Sequence, residues 1–219
     1  MNVPELQEAI GTQADGQWGP KSKDALMAHF AHPNAPTISP TDIAAAASRL
    51  RCSILQLQAV RSVEAAGHGF DAAGRPKILF ERHKFHRFTG GRFSPAPFSQ
   101  RESGGYDVSS WRKLCDAIGA GAVDAAFMAC SWGAFQVLGE YWADLGYRSP
   151  YALAWTCAQS EGDHLELLVR YIEHFGLADE LRELTSNPAT CRPFAAAYNG
   201  PGYRANRYDE KLAAVMGAV

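Results

Sequence analysis

Glu64 is the residue of this chain best placed for acid chemistry. It closes an apolar run, Ile54, Leu55, Leu57, Val60 and Val63, whose spacing predicts a helix that stops before Gly67 and Gly69. A carboxyl at that end meets the negative pole of the helix dipole and an apolar surface behind it, and both favour its protonated form. A raised pKa is what a general acid needs. The plain alternative is a solvated helix-end glutamate.

A second carboxylate has two readings. Glu81 directly follows the Lys77–Phe80 segment, which reads as a strand. It could activate water or stabilise an oxocarbenium ion, or it could pair with Arg82, Arg87 or Arg92 and order a loop. Asp71 and Asp107 read as turn residues. Tyr198 and Asn199 could hydrogen-bond beside the acid, although Asn199-Gly200-Pro201-Gly202 would also end a helix. His83 and His86 are three apart next to Glu81, but no matching Cys or His elsewhere supports zinc, and no Gly-x-Ser-x-Gly elbow supports a serine hydrolase. No metal and no cofactor is expected. Trp132, Trp142 and Trp155 could stack on sugars, yet their helical setting favours the core.

These groups must be held by a mostly helical scaffold. Asp71–Gly74 is a turn leading into the strand, consistent with a small β-hairpin, and residues 81–110 read as a long aromatic-rich loop. Helices are predicted over about 111–128, 134–145, 150–159, 162–175, 178–184, 188–197 and 203–216. Ser39, Pro40 and Asp42 start a helix that runs to about Leu50. Ahead of it, residues 31–40 carry three prolines and read as a stiff linker, and Leu6–Phe30 reads as two short helices around an Asp15-Gly16 and Gly19-Pro20 turn. The expected division is 1–36, a short module with its linker, and 37–219, one large domain.

Composition narrows the partner. The 219 residues carry 21 basic and 23 acidic side chains, so no global positive field exists to coat nucleic acid or an anionic membrane. Any hold on an anionic partner must come from local features such as Arg82, Arg87, Arg92 and Arg101. No apolar stretch reaches the roughly 18 residues of a membrane span, and the start of the chain has no export signal. Five cysteines stand singly, which fits free thiols and synthesis in the cytoplasm. A monomer is expected.

Three strings occur in a telling order: SVEAAGHGF at 62–70, SWGAFQVLG at 131–139 and AAYNGPGY at 196–203. Together they resemble the lysozyme-like superfamily of goose-type lysozymes and soluble lytic transglycosylases. The run GRPKILFERHKFHRFTGGRF at 74–93 is similar to the signature of the N-acetylmuramidase family of phage and bacterial modular endolysins. The resemblance covers roughly residues 40–219. It implies an α+β, mostly α-helical lysozyme-like domain that cleaves the β-1,4 bond between N-acetylmuramic acid and N-acetylglucosamine in bacterial peptidoglycan. Glu64 matches the family's catalytic glutamate, while Ser131 and Gln136 match positions that order the backbone and contact sugar, with Gly133 allowing close approach. Without a second carboxylate, the N-acetyl group could assist and give a 1,6-anhydro product, which is lytic transglycosylase chemistry. A non-catalytic wall-binding protein is the alternative from another class. The N-terminal segment, through Trp18, Gly19, Pro20, Ser22, Ala25 and Phe30, resembles the C-terminal half of a type-1 peptidoglycan-binding domain. Trp18 could bind wall, or the segment could simply pack on the larger domain. The missing export signal fits an endolysin released through a separately made membrane lesion.

Overall fold

A computed structural model of the chain describes residues 1–64, 68–93 and 108–218. Helix α1 (Val3–Ala9) starts at Asn2 and α3 (Pro40–Leu50) at Ser39, each through a reciprocal capping box, with Glu5 and Asp42 as the returning acids. Between α1 and α2 (Pro20–His29) the chain is stitched by Gln7, which is fully buried. Its Oε1 accepts from Gly16 N at 2.9 Å, and its Nε2 donates to Ser22 Oγ at 2.9 Å and Gln17 O at 3.0 Å. The Leu-Gln pair and the Asp-Gly turn are thus one hydrogen-bonded unit.

Helix α4 (Ile54–Glu64) ends where its apolar spacing ends. Strand β1 (Ile78–Phe80) follows, but its partner is distant in sequence. It runs antiparallel to β2 (Cys130–Trp132), which pairs in turn with β3 (Val137–Leu138). The Asp71 turn contributes only an isolated bridge, Phe70 to Pro76. Asp71 itself accepts from Ala73 N and Arg75 N and pairs with the Arg75 guanidinium, so it acts as a turn residue.

Several expectations are corrected, among them the single helix over 111–128, which is two helices, Val108–Gly119 and Val123–Met128, parted at Gly121 with φ 78°. Residues 134–145 are not a helix: Gly133 and Gln136 both take positive φ, 69° and 53°, and a right-handed helix cannot pass through either. The 81–110 stretch is not all loop either. Arg82–Phe88 forms helix α5, with Phe85 fully buried as its anchor. Asp107 and Arg101 lie outside the described residues.

The remaining helices wrap this small sheet: α6 (Val108–Gly119), α7 (Val123–Met128), α8 (Pro150–Cys157), α9 (Glu161–His174), α10 (Ala178–Arg182) and α11 (Pro188–Asn199). Arg207, at φ 53°, splits the last predicted helix into α12 (Tyr203–Asn206) and α13 (Tyr208–Met216). One apolar core runs through all of it. Leu6, Leu26 and Phe30 from α1 and α2 join Leu57, Trp111, Trp132, Leu168 and Leu212 there, each at most 2% exposed. The cysteines are free thiols.

Candidate active site

Two of the three strings read from the sequence meet at the backbone of Lys77. Its N–H donates to Gly69 O at 2.8 Å, and its carbonyl accepts from Gly133 N at 2.8 Å and Gln136 Nε2 at 3.3 Å. Gly69 lies five residues past Glu64, so the segment that follows α4 is tied through Lys77 to the β2–β3 turn. The turn is held from within. Gln136 Oε1 accepts from Ser131 Oγ at 2.5 Å, and Gln136 Nε2 donates to Gly133 O at 2.7 Å. A left-handed glutamine costs on the order of 1–2 kcal/mol, and these bonds offset it.

The third string closes the other wall. Tyr198 Oη donates to Phe135 O at 2.8 Å, joining α11 to the same turn. Between them lies a cavity of about 410 Å³, lined by Gln136, Leu138, Tyr141, Tyr171, Tyr198 and Asn199, among others. Burial raises the Tyr141 hydroxyl and pushes that of Tyr171 up to about 12, so both remain neutral donors at physiological pH. Half-buried tyrosines around a polar amide suit a saccharide, which offers apolar ring faces and hydroxyl edges. Helix α4 packs on α13, and α13 packs on α11, so the helix ending at Glu64 and the helix ending at Asn199 share a support. The Glu64 side chain lies outside the described residues.

Sequence reasoning missed two buried groups behind this turn. His164 is 1% exposed. Its Nδ1 accepts from Ala134 N at 3.2 Å and its Nε2 donates to Cys157 O at 2.7 Å, which fixes the neutral Nε2–H tautomer. Burial holds the ring's pKa below its usual value. A Cβ on Gly69 would sit 2.3 Å from His164 Nδ1, and one on Gly133 would sit 2.6 Å from Cδ2. Both glycines are therefore required by one imidazole. Glu161, also buried, accepts from Gly69 N through Oε1 at 2.7 Å. Neither group has a local sequence signal, because each gains meaning only when α9 packs against segments 30 to 90 residues away.

Glu81 stands elsewhere. It occupies the position before α5, partly exposed, with His83 Nδ1 at 3.4 Å from its Oε2, and the described lining of the cavity does not include it. The arginines expected to pair with it do other things. Arg82 is buried, Arg92 covers the Phe93 ring, and Arg87 joins Lys84 on the carboxylate of Glu140, a residue the sequence did not single out. Trp18 is also remote from the cavity: it is partly buried, packs near Gly119 and donates from Nε1 to Cys115 O at 2.8 Å. Trp132 is in the core, and Trp155 stacks on His29 with centroids 3.9 Å apart. Among the described residues no group of three or more His, Cys, Asp or Glu is placed to hold a metal ion, and no helix is long and apolar enough to cross a membrane.

Comparison with known proteins agrees with this geometry. No curated protein matches the chain. Among solved structures, the crystal structure of the Burkholderia AP3 phage endolysin is similar at a TM-score of 0.74 and 28% identity, over 98% of this chain and 92% of that one. The family model for N-acetylmuramidase matches residues 53–218, a span that holds Glu64, the β2–β3 turn and the Tyr198-Asn199 pair. The chain thus belongs to the N-acetylmuramidase family, glycoside hydrolases that cleave peptidoglycan, and it carries their lysozyme-like fold.

Proposed function

We propose that Glu64 is the general acid of this hydrolase and that the bond it cleaves is the β-1,4 link from N-acetylmuramic acid to N-acetylglucosamine. The carrying observation is the Lys77 peptide, which draws the segment after Glu64 and the Gly133–Gln136 turn to the cavity closed by Tyr198. Protonation of the glycosidic oxygen by Glu64 lets the leaving sugar depart as an alcohol. Tyr198, Asn199 and Gln136 line the cavity where the N-acetylated sugars would sit, and the Ser131–Gln136 bond keeps the turn in its left-handed form. Glu81 stands at the N-cap position of α5 with its Oε2 3.4 Å from His83 Nδ1, and in this reading it is not the acid that protonates the leaving group. In this reading the protein is an endolysin that reaches the wall after synthesis inside the host cell and works on it as a monomer.

Glu64→Gln tests the acid. Clearing of purified peptidoglycan should fall about 10³-fold, the scale of a lost general acid, with an unchanged melting temperature. Retained clearing would sink the assignment. Glu81→Gln should cost less than threefold, and a loss equal to that of Glu64→Gln would restore Glu81 as a second catalytic carboxylate. Mass spectrometry of the released fragments reads the chemistry directly: hydrolysis leaves a reducing muramic end, whereas products one water lighter would mean transglycosylation.

A further inference from the structure

A second cavity, of about 440 Å³, lies between residues 32–37 and the segment His68–Asp71. Its outer wall is built rather than slack. His32 N donates to Gly74 O at 2.7 Å, Glu161 N donates to Pro36 O at 2.9 Å, and Pro33 lies so close over Gly74 that a Cβ there would stand 2.6 Å from its backbone. The stretch that reads as a linker is thus strapped across the turn and across the start of α9.

At the base sits Glu161, 4% exposed. Oε1 accepts the Gly69 N–H at 2.7 Å and lies 3.8 Å from the exposed His68 ring. Oε2 makes no hydrogen bond to a described residue, and the side chain lines the cavity. The other acid at the rim, Asp71, is already neutralised by Arg75 at 2.7 Å. Among the described residues the cavity therefore presents one largely buried carboxylate whose Oε2 accepts no hydrogen bond, with no lysine or arginine in the lining. A buried carboxylate in that state is complemented by a cation.

We propose that this cavity receives the free ammonium group of the diamino acid in an uncross-linked peptidoglycan stem peptide. The proposal rests on Glu64 marking the scissile bond. His68 is four steps along the chain from Glu64, so their Cα atoms are at most about 14 Å apart. A stem peptide hangs from the lactyl group of muramic acid, and its third residue reaches about 10 Å from that point. Phe70 offers an apolar surface for the aliphatic part of the diamino acid, Thr37 and His32 form the facing wall, and Glu161 Oε2 takes the ammonium.

The test crosses two enzymes with two substrates: wild type and Glu161→Gln, on purified peptidoglycan with its free amines intact or acetylated. The glutamine keeps an oxygen for the Gly69 N–H and removes the charge. Acetylation should lower wild-type kcat/KM about tenfold, the worth of one charge-assisted hydrogen bond. Glu161→Gln should be about tenfold slower than wild type on the free-amine wall and equal to it on the acetylated wall. Thr37→Lys, an exposed substitution that puts a competing ammonium opposite Glu161 without touching the Gly69 bond, should show the same pattern. The proposal is overturned if Glu161→Gln loses the same factor on both substrates, which would make Glu161 only an anchor for Gly69, or if acetylation leaves the wild type unaffected. Glu64→Gln run alongside keeps the two readings apart: turnover by that variant would remove Glu64 as the acid, while amine dependence is read from the wild type alone.

Discussion

Two groups of aromatic rings in this molecule are built alike and used in opposite ways. Around Phe30 the packing is closed: Phe30, Trp111, Phe127 and Trp132 are all at most 2% exposed, with centroids 5.3 Å from Phe30 to Trp111 and 6.1 Å to Trp132. Their polar atoms are spent inside, Trp111 Nε1 on Pro76 O and Trp132 Nε1 on Phe127 O. Around the candidate active-site cavity the spacing is no looser, 5.6 Å from Tyr141 to Tyr171 and 5.3 Å from Tyr171 to Tyr198, yet these rings are only partly buried and enclose open volume. Ring density does not separate a core from a binding surface here. What separates them is whether the rings surround one another or surround a space.

The sharpest way to break the comparison is Phe30→Ala. Phe30 is the ring by which the N-terminal helices enter the core, and its loss should cost about 3–5 kcal/mol of stability, the usual range for a buried phenylalanine. For a chain of this length that lowers the melting temperature by roughly 10 °C. At temperatures where the variant is folded, clearing of peptidoglycan should stay within about twofold of wild type. A large loss of rate with an unchanged melting temperature would mean that the closed cluster shapes the cavity after all.

The same contrast explains what the sequence did and did not reveal. Helices α3, α4, α8 and α9 were legible because caps and apolar spacing are local: Ser39 with Asp42, Ser149 and Ser160 each bond to the first turn they precede. The turn at Asp71 was legible for the same reason. The β2–β3 hairpin was not, since β2 is buried on both faces and carries no alternation, and Gln136 gives no hint that it will accept a left-handed φ. Glu140, Glu161 and His164 were silent because their partners, Lys84 and Arg87, Gly69, and Ala134, lie 30 to 92 residues away. Of the site residues chosen from sequence, Gln136, Tyr198 and Asn199 line one cavity, Ser131 orders its turn, and Glu81 and Trp18 lie apart from it.

His164 lies between the two regions and gives the comparison a pH axis. Buried on Phe70 at a centroid distance of 4.9 Å, it keeps a lowered pKa through desolvation, and Glu161 and Asp163 oppose that shift only in part. The folded state therefore binds the proton less readily than the unfolded chain. The stability this represents is present above the ordinary imidazole value of 6.5 and is lost as pH falls from there toward the lowered one. His29, lowered by its own burial under Trp155, adds to the same trend. Thermal melts of wild type should thus decline below pH 6.5, and His164→Gln should flatten that slope. An equal slope in the variant would shift the cause to His29.

The smallest expected effect probes the open cluster at one atom. Tyr198→Phe keeps the ring stacked on Phe194 at 5.6 Å and edge-on to Tyr171, so the aromatic wall survives. It removes the Oη donor to Phe135 O, one residue before the left-handed Gln136. One hydrogen bond is worth about 1 kcal/mol, a fall of about 2–4 °C in melting temperature. The rate should suffer more than that suggests, by about tenfold in kcat/KM, because a small shift of the turn displaces every group that Gln136 and Lys77 align. If the hydroxyl serves only as a strut, kcat falls at constant KM, since substrate still meets the same walls. If KM rises at constant kcat, the hydroxyl contacts the sugar itself, and the open cluster is a recognition surface in which even its brace is read by the substrate.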